Sequence, residues 1–205
     1  PHAMSKQDIN EAIELFVKSA QRAKEADFDI IELQFGHGYL IAQFLSPFVN
    51  DRDDEYGGNR ENRERFALQL LDAVKNAVDL PVIIRISGDE MIPEGFHLED
   101  MISFSSSLEA HGADAVHVTA GTACSTPPWF FQHMFVPKGK TWQFAESIEK
   151  QIGIPVIYVG RINSRKDVEM LKDKYDAEFI ALGRALIADP NFTAKYLGQK
   201  DGRIR

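Results

Sequence analysis

Cysteine is almost missing from this sequence: Cys124 stands alone among 205 residues. One thiol cannot form an internal disulfide, and by itself it cannot hold zinc or an iron–sulfur cluster. Long apolar runs are missing too, since none reaches the ~18–20 residues needed to span a bilayer. The opening Pro1-His2-Ala3-Met4 lacks the charged and apolar regions of a signal peptide. Basic residues are in deficit, with 23 Lys and Arg against 31 Asp and Glu and a formal net charge of −8. That balance argues against nonspecific binding of nucleic acid, because phosphate contacts need clustered bases. There is no His-x-x-x-His pair or carboxylate cluster that suggests a metal. The acidic run 51–55 lacks the spacing and the glycine of a calcium loop, and it reads as a solvated or ion-paired loop. The expectation is a cytoplasmic protein that binds neither membrane nor nucleic acid.

What the chain does contain is a regular alternation. Hydrophobic residues make up 44% of it, enough for a globular core. Ser5 and Asp8 form a helix start, followed by Ile9, Ile13, Phe16, Ala20 and Ala23 at helical spacing. Apolar strands are predicted over 28–35, 81–87, 115–120, 155–160 and 178–183. Helices are predicted over 60–78, 98–111, 143–151, 164–174 and 191–197. The stretches 46–59 and 121–139 read as long loops, the second rich in proline and aromatic residues, and loops of that length are often functional. An α(βα)5 order of this kind implies a parallel sheet. Either a doubly wound open sheet or part of a (β/α)8 barrel satisfies it. No Gly-x-Gly-x-x-Gly follows a strand, which counts against the dinucleotide-binding open sheet.

In both architectures chemistry gathers at the carboxyl ends of the strands. The last two strands each end in a Gly-Arg pair, Gly160-Arg161 and Gly183-Arg184. Glycine lets an anion approach the backbone, and arginine supplies charge-assisted hydrogen bonds to phosphate oxygens. Two such pairs in successive units point to a phosphate site. Arg85 interrupts an apolar strand and needs a partner. Either it forms a structural ion pair with Glu32 or Asp114, or it faces an anionic or electron-rich ligand. His37 and Tyr39 follow the first strand. They fit a turn with a packed tyrosine, or a hydrogen-bond donor beside a phenol acid. A tyrosine phenol is protonated at neutral pH and can deliver a proton to a carbanion. His2, His97 and His111 read as surface residues, and Cys124 as incidental.

The segments Gly36-His37-Gly38-Tyr39-Leu40-Ile41, Gln43-Phe44-Leu45-Ser46-Pro47 and Asn50-x-Arg52-x-Asp54-Glu55-Tyr56-Gly57-Gly58 closely resemble the signature of the old yellow enzyme family, the NADH:flavin oxidoreductases. Asn62-Arg63-x-Arg65-Phe66 continues it, and Val159 to Ile162 and Leu182 to Pro190 match the family's FMN-phosphate end. The resemblance covers essentially the whole chain. It implies an FMN-dependent enzyme in which NAD(P)H reduces the flavin, the flavin passes hydride to the β-carbon of an activated alkene, and a tyrosine protonates the α-carbon. Carried over, Tyr39 is the proton donor and His37 binds the activating group of the substrate. Arg85 faces the N1/O2 edge of the flavin, and Gly160, Arg161, Gly183 and Arg184 hold its phosphate. Gln34 stands at a substrate-binding position where many members have histidine, and His133 in the aromatic loop is a candidate to compensate.

The family barrel has eight strands, and those found here match the fourth to the eighth. The whole of 1–205 is therefore expected to be one partial barrel domain. Asp201-Gly202-Arg203-Ile204-Arg205 resembles the sequence before a cysteine cluster in larger, dienoyl-CoA-reductase-like members, which carry a [4Fe–4S] centre and a further flavin (FAD) domain. An incomplete barrel leaves sheet edges unpaired, so self-association is expected. Two other readings stay open: a non-catalytic half-barrel module for folding or oligomerisation, and another phosphate-binding barrel enzyme.

Overall fold

The computed structural model describes residues 3–204. The reading of His2 as a surface residue, and the last residue of the C-terminal resemblance, Arg205, lie outside them. Five strands form one parallel sheet: β1 (Ile31–Gln34), β2 (Val82–Ser87), β3 (Ala115–Thr119), β4 (Val156–Tyr158) and β5 (Phe179–Ile180). Their order in the sheet is their order in the chain. A doubly wound sheet reverses direction at a switch point. This one does not reverse, so the barrel-type alternative is the one observed. The sheet is open, with β1 and β5 at its edges.

The helices are α1 (Lys6–Glu25), α2 (Leu40–Leu45), α3 (Arg60–Ala77), α4 (Leu98–Ala110), α5 (Pro127–Phe131), α6 (Lys140–Glu149), α7 (Arg165–Tyr175), α8 (Arg184–Ala188) and α9 (Phe192–Tyr196). α1 starts where the sequence indicates. The Asp8 N–H donates to Ser5 Oγ at 3.2 Å, and the Ser5 N–H donates back to Asp8 Oδ2 at 2.7 Å. α7 begins the same way, the Asp167 N–H donating to Ser164 Oγ. The acidic 51–55 loop is ion-paired: Arg52 Nε donates to Asp54 Oδ1 at 2.9 Å, and Lys6 meets Glu55 at 2.7 Å.

The pleat sorts each strand into two faces. On β2, Val82, Ile84 and Ile86 are fully buried, in one core with Phe66, Leu70, Leu71 and Val74 of α3 and Met101, Phe104 and Leu108 of α4. The alternate residues Ile83 and Arg85 point to the other face. Register places Gln34, Arg85, His117, Ile157 and Phe179 in one row across all five strands. The polar half of that row, Gln34, Arg85 and His117 in the middle of an apolar sheet, is what makes this face a candidate for function.

One buried acid supports the loop beyond β2. Glu90 is 1% exposed, and its Oε2 accepts from Ser46 Oγ at 2.7 Å and from the Phe96 N–H at 3.0 Å. Burial raises its carboxyl above the ordinary carboxylate range, against the pull of those two donors. A raised folded value means that the favourable contribution of this group is complete below the unfolded pKa, and is lost as pH rises through the folded one. Glu90→Gln keeps an acceptor oxygen and removes the ionisation. The variant is expected to match the wild type in acid, where Glu90 is protonated, and to be the more stable of the two near neutral pH. Urea midpoints at the two pH values measure this, and a variant weaker at both would show that the ionised form is required.

Candidate active site

The carboxyl ends of the strands surround a cavity of about 730 Å³. Its wall includes His37 beyond β1, Arg85 on β2, Thr119 at the end of β3, Gly160 and Arg161 beyond β4, and Gly183 and Arg184 beyond β5. Parallel pairing brings residues nearly 150 positions apart to one rim.

At the phosphate end, Gly160 has φ +110°, and a Cβ there would lie 2.4 Å from Gln132 Oε1 and 2.6 Å from Thr141 Oγ1. No side chain fits that position. A Cβ on Gly183 would meet nothing within 4 Å, so the approach to its backbone is open. Arg161 Nη1 donates to the Val136 carbonyl, and Arg184 Nη2 donates to the Gln132 carbonyl at 3.3 Å. A guanidinium has five N–H donors, so each arginine keeps others for an anion.

Arg85 makes neither of the ion pairs that the sequence suggests. Glu32 pairs with His117 at 2.8 Å, and Asp114 pairs with Lys75 at 2.7 Å. Burial alone would raise Glu32, but the bond from His117 and the positive potential of Arg85 hold it below the ordinary range. Arg85 Nε is buried with no hydrogen-bond partner, as is the neighbouring His117 Nε2. A buried unsatisfied donor calls for an explanation, and an absent ligand is one.

His37 is 2% exposed and in the left-handed region at φ 65°. Burial, then the positive potentials of Arg85 and His117, push its imidazole down to about 4, against the pull of Glu32. It is therefore neutral at pH 7. Tyr39, two residues on, is the N-cap residue of α2. It is half exposed, and its phenol makes no hydrogen bond to a described residue.

Three predicted residues are not in the wall: Tyr39, Gln34 and His133. Gln34 turns its amide to Gly36 and His37. His133 is exposed, its Nδ1 accepting from the Phe135 N–H at 3.3 Å. The 121–139 loop reaches the cavity through Phe130, Phe131, Gln132 and Met134 instead. Phe130 packs edge-on against His37 at 4.7 Å between ring centroids. The aromatic density of that stretch marks it, but which residues point inward depends on α5, a five-residue helix within the expected loop that its Pro127-Pro128 start signals.

FMN fits these walls. The two Gly-Arg pairs suit a phosphate, the unpartnered Arg85 Nε suits an electron-rich ring edge, and the volume lies within the ~300–1,000 Å³ of ligand sites.

The family model of the NADH:flavin oxidoreductase / NADH oxidase family matches residues 1–201. An NADH oxidase of Thermoanaerobacter brockii is 42% identical over 207 aligned positions, covering 100% of this chain and 32% of that protein. An NADPH dehydrogenase of Geobacillus sp. (strain WCH70) is 38% identical over 201, covering 97% and 57%. Among solved structures, a 2-naphthoyl-CoA reductase bound to 2-naphthoyl-CoA superposes with TM-score 0.87 at 26% identity, over 97% of this chain and 30% of that one. Morphinone reductase in complex with tetrahydroNAD gives 0.75 at 28%, over 99% and 53%. The chain thus spans from about a third to under three-fifths of the length of these relatives.

Proposed function

The chain belongs to the NADH:flavin oxidoreductase / NADH oxidase family, and on that premise we propose that it forms the flavin-phosphate and proton-donor part of an FMN-dependent ene-reductase. The observation that carries this reading is the convergence of both Gly-Arg pairs, the unpartnered Arg85 Nε and a neutral His37 on one cavity. FMN, when bound, supplies the hydride that reduced pyridine nucleotide delivers. Gly160, Arg161, Gly183 and Arg184 bind the phosphate. Arg85 holds positive charge against the ring system. The neutral His37 donates to the carbonyl oxygen of an activated alkene, drawing electron density from its β-carbon. Tyr39 gives its phenolic proton to the α-carbon. The printed names of the relatives, NADH oxidase and NADPH dehydrogenase, support NAD(P)H as the reductant.

In this reading the five strands are the fourth to eighth of a complete barrel, and 1–205 is a partial domain. The small share of the NADH oxidase that the chain covers, with the resemblance at 201–205, supports a larger parent carrying [4Fe–4S] and FAD elsewhere. The open sheet, with Phe28, Ile30 and Phe179 exposed, favours self-association of the chain on its own. No helix among the described residues is long and apolar enough to cross a membrane.

The test is anaerobic reduction of a cyclic enone by NAD(P)H, using the protein that carries this segment loaded with FMN. Saturated ketone is the expected product. Oxidation of NAD(P)H with the enone left untouched would contradict the reading.

A further inference from the structure

The family resemblance puts Gln34 at a substrate-binding position, yet its amide is already engaged. The Gly36 N–H donates to Gln34 Oε1 at 3.0 Å. That contact fixes the orientation of the amide, because a backbone N–H can only donate. Gln34 Nε2 therefore faces His37, 3.2 Å from Nδ1. An amide nitrogen has no acceptor capacity, so Nδ1 is the acceptor. In a neutral imidazole the proton is then on Nε2.

The ring is held in that pose. The His37 N–H donates to Ser87 Oγ at 2.9 Å, and Phe130 packs edge-on against the imidazole. The ring borders the cavity, and its Nε2 makes no hydrogen bond to a described residue. We propose that Gln34 is a positioning residue: by donating to Nδ1 it locks His37 as the Nε2–H tautomer and gives the cavity one neutral hydrogen-bond donor. The ligand feature selected is an oxygen that accepts without carrying a proton, such as a carbonyl. The proposal draws on the ene-reductase reading only for the identity of that oxygen, and the tautomer does not depend on it.

The surrounding charges keep the ring in the state the lock requires. Arg85 from β2 and His117 from β3 oppose a second proton, and Glu32 from β1 is the acid that favours one. Replacing Gln34 with glutamate adds a second carboxylate and reverses the polarity. One oxygen can still accept from the Gly36 N–H, and the other now requires a proton on Nδ1.

The experiment is nitrogen NMR of the 205-residue chain without flavin, labelled at its 6 histidines, with the His37 signals assigned by their loss in His37→Asn. Wild type is expected to show a protonated Nε2 and an unprotonated Nδ1, unchanged from about pH 5 to about pH 8. In Gln34→Glu the proton is expected on Nδ1, with the titration midpoint raised by at least about one pH unit. A wild-type ring protonated on Nδ1 overturns the proposal, as does a Gln34→Glu ring with an unchanged tautomer. If Gln34→Glu fails to fold, the wild-type spectrum still decides. The lock seen in a protein that leaves enones untouched would sink the ene-reductase reading and leave this inference standing.

Discussion

Tyr39→Phe is expected to lower enone turnover by about 10²–10⁴-fold, the contribution of a positioned general acid, in the FMN-loaded protein. The reduction of flavin by NAD(P)H should be unchanged, because that half-reaction needs no proton from the phenol. The two steps separate in stopped-flow kinetics, where only the oxidative half-reaction with the alkene slows. Stability should move by less than about 0.5 kcal/mol. The Tyr39 side chain is half exposed, and its hydroxyl makes no hydrogen bond to a described residue. A variant that still reduces the enone at the wild-type rate would remove Tyr39 from the mechanism and leave water as the proton source.

Arg85→Met is expected to act with opposite signs on stability and on binding. In the flavin-free chain the wild-type Nε is buried without a partner. An apolar side chain of similar length removes that unsatisfied donor at the cost of the attraction to Glu32, and the net effect should be a stabilisation of about 1 kcal/mol. In the presence of FMN the variant loses a charge-assisted contact of about 1.5–3 kcal/mol, a roughly 10–100-fold loss of affinity. Stability bought by losing affinity is the signature of a residue kept for a ligand. Urea midpoints and flavin titrations on the same preparations test both halves. If the variant is less stable, Arg85 has a structural role in the sheet.

Much of this arrangement can be read from the residues alone. The capping of α1 and the start of α7 depend on side chains next to the backbone they serve, and local chemistry of that kind survives translation from sequence. Both Gly-Arg pairs were legible because parallel βα units repeat their geometry, so equivalent strand ends meet at one rim. Strand lengths were less legible. The first strand was expected over 28–35, but β1 pairs only over Ile31–Gln34, and Phe28 and Ile30 are exposed ahead of the ladder. β5 shortens to Phe179–Ile180 for a related reason: it has a neighbour on one side only. α8 was hidden because it begins within the second Gly-Arg pair and is just five residues long.

The partners of the charged row were not legible at all. Glu32 and Asp114 were both reasonable for Arg85, and choosing between them depends on register. His117 follows Arg85 in the same row and takes Glu32, while Asp114 stays at the start of β3 with Lys75. The same holds for Gln34. Its side chain could serve a substrate in sequence terms, and only the turn at Gly36 shows that the amide is used within the protein.

If these strand ends form an FMN-phosphate site, the chain alone should hold flavin. The most direct test is the visible spectrum of the 205-residue chain mixed with FMN and desalted, beside Arg184→Ala treated alike. Flavin bands are expected to be retained by the wild type and lost from the variant, since Arg184 borders the cavity beside Gly183. Flavin retained equally by both would contradict that site, because the phosphate would then be held elsewhere.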